Sequence, residues 1–435
     1  MEKNKQWKNF IQLVKKEVVP ALGCTEPISL ALAAARAASL LDGPVERIEA
    51  RVSANLMKNG MGVTVPGTET TGLLIAAAVG ALGGDPDGAL EVLRSLTPQQ
   101  VSEGKRLLAE NRVTLGIASA ANVLYAEAKV FSGRDWALAA IADTHTNLVR
   151  LEKNGQVLLD QSQTPAAHDE AGDDARSLLA GCCLQDIYDF AANAPLEEID
   201  FIHDAANLNL CLSNEGIQKD FGLHIGATMQ RQIKAGLLPD SLFTQVILRT
   251  TAASDARMGG AALPAMTNSG SGNQGITATM PVVVVAEYLK ADRETLIRAL
   301  MLSHMTAIYI HSKLPKLSAF CAVTTAAMGA AAGMAWLLKK DCPAVTMAIA
   351  NMIGDVSGMI CDGASNSCAM KVSTSVTSAY KAVLMAIDNT RVTASDGIVE
   401  ENIDASIANL GRLASDGMQQ TDREILEIMM KKNCR

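Results

Sequence analysis

Cysteine is the residue type whose spacing in this chain most clearly asks for chemistry. Cys361 and Cys368 stand seven apart in GMICDGASNSCAM, with small and polar residues between them. On one unbroken helix they would be about 10.5 Å apart along the axis at ~1.5 Å per residue, too far to share a small metal centre. Gly363 and its polar neighbours favour a loop, and a loop can fold the two thiols back toward each other. A third thiol, Cys321, lies 40 residues upstream in KLPKLSAFCAVTTAAMG, expected just inside a helix that starts after Pro315. Structural zinc usually takes four ligands, often with a Cys-x2-Cys pair, and the chain contains no such pair. Three thiolates with one position open suit a [4Fe–4S] cluster whose remaining iron can act as a Lewis acid. Inert buried thiols, zinc and a redox pair are competing readings of the same spacing.

Cys24 in PALGCTEPISL is a fourth notable thiol. Thr25 can cap a helix, Pro27 fits its first turn, and the helix dipole there favours a thiolate. The plain alternative is a small side chain filling a tight turn. TNSGSGNQG (267–275) is a polar island between apolar helices. Asn268, Ser269, Ser271, Asn273 and Gln274 bring donors, while Gly270, Gly272 and Gly275 let backbone amides approach an anion. With a helix expected to begin near Gly275, the segment reads as a carboxylate cradle or, more plainly, as a flexible linker. No strand is expected before it, so its glycines do not spell a dinucleotide fingerprint.

Weaker candidates complete the set. Asn55 and Lys58 in NLMKNG are substrate contacts or part of a surface turn. His145 in ADTHTNL is a proton donor or a satisfied polar residue between strands. His304 and His311, seven apart, are expected to line a helix–helix interface. Cys182, Cys183 and Cys211 are expected in the core, and Cys342 at a helix start. Cys434 stands beside the C-terminus.

The elements that must position these residues divide the chain in two. The first part reads as helices at 1–20, 26–41, 71–82, 86–96 and 98–111, a strand at 45–54, a Gly-rich loop at 55–70, and strand-like runs at 122–132, 135–152 and 156–161. SQTPAAHDEAGDD (162–174) is the best linker. Beyond it nearly everything reads helical: 175–190, 196–218, 222–237, 241–257, 275–289, 292–310, 316–339, 343–354, 370–386 and 397–415. The expected class is α+β. An N-terminal α/β domain with a small mixed sheet (1–165) precedes a mainly helical catalytic domain (166–435).

Composition narrows the partners. The chain has 435 residues, 49% hydrophobic and 19% charged, as expected of a well-buried globular protein of two or three domains. A net charge of −8 without a basic block argues against nucleic acid. The opening segment reads as an amphipathic helix rather than a signal peptide. AVTTAAMGAAAGMAWLL (322–338) is 17 residues without charge. Its Ala and Gly contribute little to lipid partition, so a buried bundle helix is expected and no membrane partner. Nine cysteines, an odd count, point to a reducing cytoplasm.

ALGCTEP together with Cys321, Cys361 and Cys368, spaced 40 and 7, resembles the iron–sulfur L-cysteine desulfidases, relatives of the L-serine dehydratase alpha chain. The helical half, about 175–425, is similar to the alpha-chain domain, and ALGCTEP adds a desulfidase-type N-terminal half. The resemblance implies a [4Fe–4S] cluster held by Cys321, Cys361 and Cys368, with Cys24 as catalytic base or labile fourth ligand. It implies a small amino acid as substrate and β-elimination of L-cysteine to hydrogen sulfide, ammonia and pyruvate. Serine dehydratases have a longer gap between the last two cysteines, so the seven residues here favour the desulfidase branch. Related dehydratases can place a terminal cysteine near the cluster, which extends the same expectation to Cys434. An L-serine dehydratase with the same cluster and a non-catalytic iron–sulfur or thiol sensor are the alternatives. A homodimer is compatible with the sequence.

Overall fold

The computed structural model describes residues 2–120, 122–161, 175–315 and 318–433. The expected linker at 162–174 and Cys434 lie outside the described residues. The chain is α+β, with one six-stranded sheet early and helices thereafter. The first part runs α1 (Glu2–Glu17), β1 (Pro20–Leu22), α2 (Thr25–Ala38), β2 (Arg47–Val52), α3 (Ala54–Gly60), β3 (Thr64–Val65), β4 (Thr70–Thr71), α4 (Leu73–Gly83) and α5 (Pro98–Ala109). Then come β5 (Val113–Ile117), β6 (Tyr125–Ser132), β7 (Asp135–Ala142), β8 (Leu148–Lys153) and β9 (Gln156–Asp160).

The sheet order is β5-β2-β6-β7-β8-β9, with β5 and β2 parallel and every other pair antiparallel. Alternation explains its one buried face. Ala126, Ala128 and Val130 of β6 point inward beside Val52, Ala50 and Ile48 of β2. This face is covered by α2, with α4 behind it, through closely packed alanines. The expected single run 135–152 is two strands, because the chain reverses at 143–147, where Asp143 takes a positive φ of 67°. The expected helix at 86–96 reduces to one 3-10 turn at 89–91.

The second part contains α6 (Ala175–Leu178), α7 (Leu184–Asn193), α8 (Leu196–Ile199), α9 (His203–Gln218), α10 (Ile225–Lys234), α11 (Leu242–Met258), β10 (Pro264–Met266), α12 (Gly272–Leu289) and α13 (Arg293–His311). It closes with α14 (Val323–Lys339), α15 (Cys342–Val356), α16 (Cys368–Ile387), α17 (Ile403–Arg412) and α18 (Gln419–Asn433). Every residue of α14 from Val323 to Leu337 is buried. The uncharged run is therefore the centre of a helical body. A Cβ on Gly329 would lie 2.3 Å from the Ser303 carbonyl oxygen, so glycine is what lets α14 approach α13 so closely. Among the described residues no helix is long and apolar enough to cross a membrane.

Two features cross the expected boundary at 165/166. Helix α1 packs into the helical core, with Phe10 edge-on to Phe190 at 5.3 Å. Strand β1 pairs antiparallel with β10, matching Pro20 to Met266 and Leu22 to Pro264. The Gly-rich 55–70 is not a loop. Ser53 caps α3 by accepting from the Leu56 N–H at 3.3 Å, and burial of Leu56 and Met57 overrides the local Asn and Gly signals.

Candidate active site

The β1–β10 pair brings two parts of the site together. Past β1 the chain turns at Gly23 and Cys24 becomes the N-cap of α2. Past β10 it forms the turn 267–271, and α12 starts at Gly272. The two turns are stitched by the Thr25 hydroxyl donating to the Gly270 carbonyl at 3.0 Å, and the second is tied to the end of α1 by the Ser269 N–H donating to the Glu17 carbonyl at 3.1 Å. One turn further along α2, the Ser29 hydroxyl donates to the His145 carbonyl at 2.7 Å, which holds the β7–β8 turn against the same place. A short strand does precede the Gly-rich segment, contrary to expectation, but it belongs to a two-stranded pair.

A second set of contacts carries the other thiols. Phe320 and Ile360 form an isolated antiparallel bridge. The Cys321 N–H donates to the Met359 carbonyl at 2.9 Å, and the Cys361 N–H donates to the Ala319 carbonyl at 2.7 Å. Cys321 therefore lies in extended chain just before α14, not inside a helix. Cys368 is the first residue of α16. Its sulfur accepts from the Ser365 N–H at 3.5 Å and its thiol donates to the Gly363 carbonyl at 3.6 Å, so the intervening loop curls back. The loop is held to the N-terminal part by a Gly62–Ser365 bridge and by Gly363 lying against α3.

Cys24, Cys321, Cys361 and Cys368 all line one cavity of about 130 Å³. Ser269, Gly270, Ser271, Asn273, Gln274 and His145 line it too. That volume suits a small molecule; an apolar cavity of ~150 Å³ takes up benzene. Among the described residues no three His, Cys, Asp or Glu side chains surround one ion-sized point. The thiols share a cavity without closing on a single ion.

Other expected residues have different roles. Asn268 is fully buried behind the cavity, where its amide donates to Nδ1 of His304 at 3.1 Å and to the His304 carbonyl at 3.2 Å. It braces the turn from inside. Asn55 and Lys58 do not line the cavity. Lys58 is only 1% exposed and pairs with Asp422 of α18 at 2.5 Å, so it is not part of a surface turn. Cys211 is exposed, and Cys182 and Cys183 are half-buried at the start of α7, so none of the three is a core residue. His304 lies in the interior, accepting or donating at Nε2 with the Thr279 hydroxyl at 3.0 Å, and burial pushes it down to about 3. His311 faces the cavity instead. Burial, with a smaller push from the Arg176 charge, brings His311 down to about 4, and its Nδ1 has no hydrogen-bond partner.

Burial also pushes the Cys24 thiol up to about 12, opposed by the Arg257 guanidinium beside it. Desolvation thus outweighs the helix-dipole effect expected from the sequence. Burial raises Cys321 to about 12, with Cys361 adding to the rise. Cys368 is raised by burial as well, partly offset by the Ser365 N–H. Binding a metal through these thiols must therefore release protons.

Arg257, Glu26, Asn59 and Lys371 also line the cavity, and none of the four is among the candidates read from the sequence. Two left traces in the sequence. Lys371 is three residues after Cys368 and so shares its helix face. Arg257 is a charge in the otherwise small-residue segment TTAASDARMGG.

Residues 87–427 match the family model of the serine dehydratase alpha chain, and the chain belongs to that family. The family is one of lyases of the dehydratase type that generally use an iron–sulfur cluster. The chain is also 65% identical to a UPF0597 protein of Chromobacterium violaceum over 426 residues, covering 98% of each. It is 58% identical to UPF0597 protein YhaM of Escherichia coli O157:H7 over 430 residues, covering 99% of this chain and 98% of that one. A UPF0597 protein of Actinobacillus pleuropneumoniae is 58% identical over 423 residues, 97% of each.

Proposed function

We propose that the chain is an L-cysteine desulfidase, a carbon–sulfur lyase that converts L-cysteine to hydrogen sulfide, ammonia and pyruvate. The observation that carries this reading is the gathering of Cys24, Cys321, Cys361, Cys368 and the first turn of α12 around one small cavity. The donors fit an iron–sulfur cluster. All three candidate ligands are soft sulfur, and a four-iron cube holds its thiolates farther apart than a single ion does. Cys321, Cys361 and Cys368 would hold it. When bound, a [4Fe–4S] cluster with one iron free of protein thiolate supplies a Lewis acid for the substrate sulfur.

The chain's own residues supply the rest. The α-hydrogen of an amino acid is weakly acidic, so a base must sit against it. Cys24 Sγ, as the thiolate that the Arg257 guanidinium beside it favours against burial, is the candidate to take that proton as the Cβ–S bond breaks. The products of that step are sulfide and aminoacrylate, which tautomerises and takes up water to give pyruvate and ammonia. Ser269, Ser271 and Asn273 offer hydrogen bonds to the substrate, and the start of α12 favours its anionic end. His145, held over Gly270, is a candidate proton donor. A reducing cytoplasm goes with this reading, since the cavity needs free thiols.

The family match favours a second reading, an L-serine dehydratase acting through the same site. Anaerobic reconstitution with iron and sulfide, followed by parallel assay of pyruvate from L-cysteine and L-serine, separates them. The proposal expects sulfide and pyruvate from cysteine in excess of pyruvate from serine. It also expects loss of cluster absorbance when Cys321, Cys361 or Cys368 is changed to Ala. Cluster-loaded protein that releases no sulfide from cysteine would sink it.

A further inference from the structure

Arg257, the last-turn cation of α11, is only 4% exposed, yet among the described residues no carboxylate pairs with it. Its Nη1 donates to the Met258 sulfur at 3.3 Å, a weak acceptor, its guanidinium also lies against the neutral Cys24 thiol, and its Nε has no partner. A buried guanidinium without a counter-charge is costly and calls for an anion. The same guanidinium lies against the start of α12, a helix of 18 residues whose first N–H groups carry the positive end of its dipole. A Cβ at Gly272 would fall 2.1 Å from Arg257 Nε, so only glycine admits this approach. Two positive features thus meet on the wall of the cavity. Gln274 Oε1, also buried and without a partner, lies two residues along the same turn and is an acceptor for an ammonium group.

We infer that Arg257 and the first turn of α12 form the seat of the substrate's α-carboxylate, with Gln274 accepting from the α-ammonium. The inference rests on the amino-acid lyase reading and deepens it: the ligand class is a zwitterionic α-amino acid, recognised by its charges irrespective of the leaving group. Arg257 is a binding residue here, and its bidentate fork suits a carboxylate better than a lysine ammonium does.

The test reads binding without turnover. Full-length protein, reconstituted anaerobically, is titrated calorimetrically with L-alanine, which lacks a leaving group, and with L-alaninamide, which lacks the carboxylate charge. Wild type should prefer L-alanine by roughly 10- to 100-fold, the scale of a charge-assisted hydrogen bond. Arg257→Gln should erase that preference to within about twofold, with Arg257→Lys intermediate. Gly272→Ala keeps the guanidinium but displaces it, and should lose the preference as well. Cys24→Ala should keep it, which separates carboxylate binding from a role for Arg257 in charging the thiol. The inference is overturned if wild type binds the amide as tightly as alanine, binds neither, or if folded Arg257→Gln retains the preference. A failed desulfidase assay with Arg257-dependent alanine binding would remove the reaction and leave this site standing; sulfide release with Arg257-independent binding would do the reverse.

Discussion

Gly363→Ala tests whether the cysteine loop is held in place by its contact with α3. Gly363 has φ of +100°, a region that costs a side-chain-bearing residue ~1–3 kcal/mol. An added Cβ would lie 2.6 Å from the Lys58 carbonyl oxygen and 3.1 Å from the Met429 methyl. The carbonyl cannot easily retreat, because Lys58 is itself buried and tied to Asp422. Overpacking of this kind adds ~1–3 kcal/mol, for a total of roughly 2–6 kcal/mol. The loop relieves most of this by moving away, carrying Cys361 and Cys368 with it. Even 2 kcal/mol of lost preorganisation is about a 30-fold loss in retention of a bound group. The assay is iron and acid-labile sulfide per chain after anaerobic reconstitution and desalting, beside thermal melts. Gly358→Ala is the control, since a Cβ there meets nothing within 4 Å. Gly363→Ala should lose most of its iron with a modest fall in melting temperature, and the control should match wild type. Equal iron and equal melting temperature in Gly363→Ala would refute the reasoning.

Other outcomes follow from the same geometry. Cys24→Ala should leave iron content near wild type while sulfide release from L-cysteine falls at least tenfold; unchanged release would remove Cys24 from the chemistry. Asp422→Asn leaves the buried Lys58 ammonium without its counter-charge and should cost about 3 kcal/mol in urea unfolding, at the low end for buried pairs because Asp422 is partly solvated. Lys58→Met with Asp422→Leu should cost less than Asp422→Asn alone. Two buried histidines and one buried carboxylate set opposite pH dependences. His304, pushed down to about 3 by burial, contributes stability that is full above its unfolded value near 6.5 and is lost as pH falls below it. Asp255, pushed up to about 7 by burial, binds its proton in the folded state first, so stability is gained as pH falls from 7 toward 4. Buried His311, pushed down to about 4, loses stability in the same direction as His304, so in wild type Asp255 offsets only about one of the two histidines. Asp255→Asn should unmask the combined His304 and His311 loss, about 3 kcal/mol between pH 6.5 and 5, read from urea midpoints.

Much of the helical body was legible because its signals are local. Uncharged Ala- and Gly-rich runs need no partner to be recognised as buried, and α11, α12, α13 and α15 begin and end close to their capping and breaking residues. The short elements were not legible. Helix α3 and strands β3 and β4 stand in a stretch of Asn, Gly and Pro whose local preference is for turns. They form because α3 buries Leu56, Met57 and Lys58 against distant parts of the chain. Asn268 and Lys58 show the same limit at the site: both are polar residues in polar motifs, and only the fold turns them inward toward His304 and Asp422.

Residue type and spacing alone determined that Cys24, Cys321, Cys361 and Cys368 were the thiols to watch, since a thiol's softness and acidity belong to the side chain. Their meeting in one cavity was decided by tertiary structure, through the β1–β10 pairing and the Phe320–Ile360 bridge. The cations were decided there too. A guanidinium becomes a recognition group when folding strips its water and withholds a carboxylate, and no one-dimensional pattern records which arginine is left in that state.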